Sequence, residues 1–188
     1  MSKINVAVVF GSNRRASINR KLARAPVKQG AGKLTPAFVQ IDDLAMYNQD
    51  LESPLPAPVA RFKAEIERAD ALLFVTPEHN RSIPAALKNA IDWGARQNAW
   101  AGKPAAIIGT SPGTIATAIA QQHLRQILGD LGALVMGGEA YVRFKSALLD
   151  ADDAVTDAAT RSFLQSFLDR FVDRAGRLGG RKADAVAA

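Results

Sequence analysis

Five short, almost unbroken apolar runs punctuate this chain, at 4–10, 37–41, 71–76, 105–110 and 133–136. Their lengths suit strands, and continuous rather than alternating apolarity is what a strand needs when both faces of its sheet are covered. Longer stretches with helical periodicity lie between them at 17–29, 58–69, 84–94 and 115–129, and one more follows at 157–176. A strand–helix alternation of this kind builds a parallel sheet with helices on both faces.

The predicted fold class is therefore α/β, a three-layer sandwich. Five strands fit the flavodoxin-like order 2-1-3-4-5 better than a six-stranded dinucleotide fold. One such domain is expected over residues 1–177, with a flexible Gly- and Ala-rich tail at 178–188. Composition narrows the chemistry. The 188 residues include no cysteine and two histidines, His79 and His123. Disulfides, thiolate nucleophiles and Cys-ligated or multi-His metal centres are excluded, so no metal site is expected. No apolar run approaches the length of a membrane span. The opening MSKINVAVVF reads better as a core strand than as a signal peptide, since Arg14 and Arg15 stand where a small-residue cleavage site would lie. A cysteine-free chain suits the cytoplasm.

Net charge is +6, but it is not spread evenly. Residues 1–41 hold eight Lys and Arg and no acid, whereas the other 147 hold 16 basic and 18 acidic side chains. A nucleic-acid binder can concentrate charge in this way, and so can a protein with one phosphate site near its N-terminus.

Three polar loops follow the first, third and fourth strands. In a 2-1-3-4-5 sheet these strands are neighbours, and their C-terminal ends meet at the topological switch point where such folds bind ligands. The first loop, 11–19, offers Ser12, Arg14, Ser17 and Asn19 at a helix N-terminus, a set suited to an anion. It equally describes a Ser-capped helix with solvated arginines. It is neither a Walker A loop nor G-x-G-x-x-G. The second loop, 76–84, holds two prolines, a Ser82 placed to cap the next helix, and backbone amides suited to the edge of a flat heterocycle. An ordinary strand-to-helix turn fits the same residues. The third, 110–114, carries Ser111. The irregular stretch 42–57 is long enough to be a lid or a surface crossover.

At these residues the sequence resembles the NAD(P)H-dependent FMN reductase family, which includes flavodoxin-like quinone, chromate and azo-dye reductases. The likeness runs through GSNRRASINRKLA at 11–23, PEHNRSIPAALKNAIDW at 77–93 and KPAAIIGTSPG…QQHLRQILGDLGA at 103–133. A weaker match is MYNQDLE at 46–52. The resemblance implies that Ser12, Arg14, Ser17 and Asn19 hold the FMN phosphate. It also implies that Pro77, Glu78, His79, Asn80, Ser82 and Ile83 border the isoalloxazine ring, with Ser111 closing the far side. The implied reaction is ping-pong: NADPH or NADH gives a hydride to flavin N5, leaves, and a small acceptor (a quinone, chromate, an azo compound or free flavin) takes its place. No side chain is then a catalytic acid or base. A homodimer or homotetramer is implied as well. Three positions depart from the family pattern. His79 stands for a tyrosine, Ala116-Thr117 for a Gly-Gly pair, and Ala45 for a proline.

Two other classes remain as rivals. A flavodoxin-like electron carrier would bind FMN without reacting with nicotinamide, although such carriers resemble acidic proteins. A basic nucleic-acid-binding module would use the N-terminal charge, yet Phe38 is the only aromatic between Phe10 and Tyr47. The expected partners are thus small molecules and further copies of the chain, with no nucleic acid and no membrane.

Overall fold

The computed structural model of the chain describes residues 3–30 and 32–185. Five strands come first to the eye: β1 (Ile4–Phe10), β2 (Leu34–Val39), β3 (Ala71–Val75), β4 (Pro104–Ser111) and β5 (Leu134–Val135). They pair in parallel in the order β2-β1-β3-β4-β5, the order that the run pattern predicts. The helices are α1 (Ile18–Gln29), α2 (Ala57–Arg68), α3 (Ala85–Ala95), α4 (Ala118–Asp130) and α5 (Ala158–Ala185).

The continuous apolar runs have a simple reason. Alternate strand residues face opposite sides of a sheet, and here both sides are core. Ala7, Val9, Leu72, Phe74 and Ile107 pack against α2, α3 and α4, through Phe62, Ile66, Leu87, Trp93 and Leu124. Val6, Val8, Leu73, Val75 and Ile108 pack against α1 and α5, through Leu22, Leu164, Phe167 and Phe171.

The count of five strands needs correction. A sixth, β6 (Tyr141–Arg143), continues the lane of β5 along the same neighbour: Ala105 pairs with Val135, and five residues on Thr110 pairs with Val142. The lane is broken at Gly137-Gly138, where Gly138 takes a φ of +92°. The Arg125 guanidinium on α4 braces the break by donating to the carbonyls of Met136 and Gly138. At the other end of the chain, α5 runs past the predicted Gly176 as far as Ala185. The expected tail is thus helical through that residue, and 186–188 lie outside the described residues.

The stretch 42–57 is a strap rather than a free lid. The Ala45 carbonyl accepts from Asn89 Nδ2 at 2.9 Å and from Trp93 Nε1 at 2.8 Å, and Tyr47 N–H donates to Asn89 Oδ1 at 2.7 Å. Residues 89 and 93 are four apart on α3, hence on one face of it. Tyr47 also packs edge-on against Trp93 with ring centroids 5.0 Å apart. Beyond it the Tyr47 hydroxyl donates to Glu52, which also pairs with Arg96 at 2.7 Å. The Tyr47 hydrogen bond, seconded by Arg96, holds the Glu52 carboxyl below the usual carboxylate range. A carboxylate whose folded pKa lies below its unfolded value stabilises fully above the unfolded value and loses that contribution as pH falls through the folded one. Glu52→Gln is therefore expected to flatten the acid limb of a melting-temperature profile between these two pKa values. An unchanged profile would show that the strap does not depend on this charge.

Candidate functional site

β1, β3 and β4 end side by side, and the loops that leave them enclose one cavity of about 490 Å³, within the range of small-molecule and cofactor sites. Loop 1 contributes Gly11, Ser12, Asn13, Arg14 and Ser17, with Ile18 and Asn19 from α1. Loop 2 contributes Pro77, Glu78 and His79, and the end of β4 contributes Thr110 and Ser111. Eight of the eleven predicted site residues thus share one wall: Ser12, Arg14, Ser17, Asn19, Pro77, Glu78, His79 and Ser111. Gly11 lets the first two loops touch, since a Cβ there would lie 2.8 Å from Thr76 Oγ1 and 3.2 Å from Pro77 Cδ.

The first loop has anion-binding chemistry. Ser17 is the N-cap of α1, its Oγ accepting from Arg20 N–H at 3.4 Å, and no acid occupies the first turn of the helix. The first N–H groups of the helix and its positive end face the loop. Arg20 itself is turned aside. Its Nε donates to the Ser12 carbonyl at 3.1 Å, and its guanidinium lies over the Phe10 ring, 5.5 Å from the centroid.

Half of the eight cations of the N-terminal segment are engaged within the fold. Arg24 pairs with Asp153 at 2.8 Å, Lys33 with Asp169 at 2.6 Å, Arg20 with Asp42 at 3.8 Å, and Lys28 donates to the Asp152 carbonyl. Arg14 and Arg15, both in loop 1, keep no partner among the described residues. Of these, Arg14 lines the cavity.

Asn80, Ser82 and Ile83 do not line this cavity. His79 and Ser82 exchange two backbone hydrogen bonds of 2.9 Å, and the two residues between them have positive φ, 49° at Asn80 and 62° at Arg81. That is a type I′ hairpin turn, which prefers Asn followed by Gly. Ser82 is not the cap of α3. Pro84 holds that position, while Ser82 Oγ lies 3.1 Å from His123 Nδ1. Ser82 and Ile83 instead line a second hollow between α3 and α4, with Lys88 and His123. The hairpin was hidden in the sequence because arginine fills the turn position that glycine favours. Arg81→Gly should relieve roughly 1–2 kcal/mol of left-handed strain, against up to about 1 kcal/mol of added unfolded-state freedom and under about 1 kcal/mol for the lost ion pair with Glu78 at 3.5 Å. Little change in melting temperature is expected, and a large fall would contradict the turn type.

Loop 3 has a similar feature. Ala116 has φ +50° and is buried, which accounts for the glycine common there among the proteins that this chain resembles. It also explains why α4 begins at Ala118 rather than at 115.

Residues 4–147 match the family described as NADPH-dependent FMN reductase, and the match takes in all three loops. The chain belongs to this family. A quinone reductase of Pseudomonas putida is 47% identical over 84% of this chain and 88% of its own. A 2-hydroxy-1,4-benzoquinone reductase of a Burkholderia species is 46% identical over 79% of this chain and 84% of its own. Among solved structures, the flavoenzyme NAD(P)H:(acceptor) oxidoreductase FerB of Paracoccus denitrificans superposes with a TM-score of 0.89 at 46% identity, covering 93% of this chain and 98% of that one. This member of the FMN reductase family is accordingly an oxidoreductase that uses FMN and NAD(P)H, on the fold its strand order predicts.

The residues present fit such a cofactor. An FMN reductase needs an anion seat at one end of its cavity and rigid backbone along the other. Loop 1 has the cationic and N–H donors for the first, and Pro77 with the closed hairpin gives the second. No group of three or more His, Cys, Asp or Glu that could hold a metal ion occurs among the described residues. No described helix is long and apolar enough to cross a membrane.

Proposed function

We propose that this protein reduces quinones with NAD(P)H, one substrate at a time, in the cavity at the ends of β1, β3 and β4. The observation that carries this reading is the convergence of the three loops on a single 490 Å³ cavity, in a chain 46–47% identical to proteins named as quinone reductases. FMN, when bound, supplies the redox chemistry by accepting a hydride and passing on two electrons. Over a turnover, NAD(P)H, a proton and a quinone become NAD(P)⁺ and a hydroquinone.

The chain's own residues have three tasks. Arg14, with the hydroxyls of Ser12 and Ser17 and the first N–H groups of α1, holds the phosphate. The backbone of Pro77, Glu78 and His79 and the Ser111 side lie along the ring. Donors at that edge favour negative charge on a reduced ring. His79 borders the space open to the acceptor, where its imidazole replaces a larger phenol ring. A single cavity serves nicotinamide and quinone in turn, which supports a ping-pong order. The family resemblance and the cysteine-free composition also favour an assembly of two or four copies, working in the cytoplasm on small molecules. The pairing of N-terminal cations with acids of the same chain supports a role without nucleic acid.

Purified protein is expected to be yellow, to bleach when NADPH is added without acceptor, and to regain colour with a stoichiometric quinone. Initial rates at several quinone concentrations should give parallel double-reciprocal lines. Intersecting lines would refute the one-at-a-time order. Flavin binding without bleaching by NADPH or NADH would instead indicate an electron carrier.

A further inference from the structure

Two polar side chains in the cavity wall are engaged with protein on both sides. Asn19 is 2% exposed. Its Nδ2 donates to the Thr110 carbonyl at 2.9 Å, and its Oδ1 accepts from Thr110 N–H at 2.8 Å. One carboxamide thus engages both backbone groups of Thr110, the last residue but one of β4. Glu78 does the equivalent for loop 2. Its Oε2 accepts from the N–H groups of Ile119 and Ala120 at 2.9 and 3.0 Å, in the first turn of α4. The N-cap of that helix, Thr117, makes no side-chain cap of its own, so a carboxylate from another loop satisfies the open N–H groups and the positive helix end.

We propose that Asn19 and Glu78 are positioning residues. Asn19 ties loop 1 to loop 3, Glu78 ties loop 2 to the helix that follows loop 3, and neither side chain contacts the flavin. The proposal rests on the flavin-binding reading above. Its physical basis is that three loops leaving neighbouring strand ends share no ladder beyond those ends. Without cross-ties each would have to be ordered at the moment of binding, and pre-ordering them lowers that cost. Asn19 has little left to offer a phosphate, because its buried amide and carbonyl both already face Thr110.

Riboflavin, which lacks the phosphate, separates the two roles. A phosphate ligand lost by mutation weakens FMN and leaves riboflavin alone. A lost positioning residue weakens both by the same factor. In titrations of apo-protein with each flavin, Asn19→Leu and Glu78→Ala are expected to weaken FMN and riboflavin alike, by on the order of tenfold. Glu78→Gln should recover part of the loss, since its amide oxygen still accepts from the α4 N–H groups. Arg14→Ala should weaken FMN alone. Hydrogen exchange at residues 110–114 should accelerate in the Asn19 variant without any ligand. If Asn19→Leu does not fold, Asn19→Asp, which keeps the acceptor for Thr110 N–H, takes its place in every arm. An Asn19 variant that loses FMN but not riboflavin would make Asn19 a phosphate ligand and overturn the proposal, as would unchanged binding of both flavins. Should the unaltered protein bind neither flavin, the flavin reading fails. The clasps are then judged by the exchange rates alone, and unchanged rates at 110–114 would dismiss them.

Discussion

Arg14→Ala is expected to cost about 10- to 100-fold in affinity for FMN and to leave the melting temperature of the apo-protein where it was. The first half follows from the value of a hydrogen bond to a charged group, roughly 1.5–3 kcal/mol, converted at 1.4 kcal/mol per decade. The second half follows from exposure. The Arg14 guanidinium has no partner among the described residues, and only its backbone is engaged, its N–H donating to Ser12 Oγ at 3.3 Å. Ser17→Ala makes the informative contrast. Its hydroxyl caps α1 through Arg20 N–H, so its loss should cost affinity and also about 1 kcal/mol of stability. Thermal unfolding of the two apo-variants, beside fluorescence titration with FMN, distinguishes a residue that serves only the ligand from one that also serves the helix. Wild-type affinity in Arg14→Ala would remove the phosphate from loop 1.

Gly109→Ala should be the most damaging small substitution near the site. A Cβ on Gly109 would stand 2.1 Å from the Thr76 carbonyl oxygen and 2.4 Å from Thr117 Oγ1. The first neighbour is backbone, at the start of loop 2. The second belongs to a fully buried side chain that accepts from Gln121 Nε2 at 2.9 Å. Neither can step aside, so β4 must part from β3 at the end where the loops leave. Overpacking of this kind costs about 1–3 kcal/mol or somewhat more, a fall of roughly 2–12 °C for a domain of this size. Because the displaced strand ends carry loops 2 and 3, flavin retention should fall as well. Gly129→Ala is the control. It lies inside α4 with nothing within 4 Å of its added methyl, and it should be neutral to slightly stabilising, by under about 1 kcal/mol. Equal melting temperatures for the two variants would contradict the close approach of β4 to Thr76.

What the amino-acid order revealed and what it concealed divide along a physical line. Apolar runs buried on both faces report strands directly. Five runs in one small domain fit the order 2-1-3-4-5, and that order brings the loops after β1, β3 and β4 together. Ser17 as the cap of α1 was also legible, because capping is local. Side-chain destinations were not. Nothing near Asn19 says that its carboxamide closes on Thr110, nor does anything near Glu78 point to α4. Both contacts depend on where distant elements come to lie. The same holds for the strap, since Asn89 and Trp93 read as ordinary members of an amphipathic helix until the Ala45 carbonyl is seen between them. Other errors were local. Gly137-Gly138 was the visible sign of a broken fifth lane, and the Gly-rich tail was read as a stop that α5 overruns. Arg81 concealed a hairpin turn by occupying a position where glycine would have announced it.

Two ion pairs in and just beyond the first helix also bear on how the chain is made. Arg24 and Lys33 find their acids at Asp153 and Asp169, more than a hundred residues later. Residues 1–41 carry eight positive charges and no acid; Arg20 meets Asp42 almost at once, whereas Arg24 and Lys33 wait until positions 153 and 169 have been made. Until α5 is released, the α1 face of the sheet lacks the Asp169 partner of Lys33 and the cover of Phe167 and Phe171. Closing that face thus has to wait for α5. A transcript cut short before α5 would yield a chain with a bare apolar flank, the kind of species that chaperones and proteases recognise.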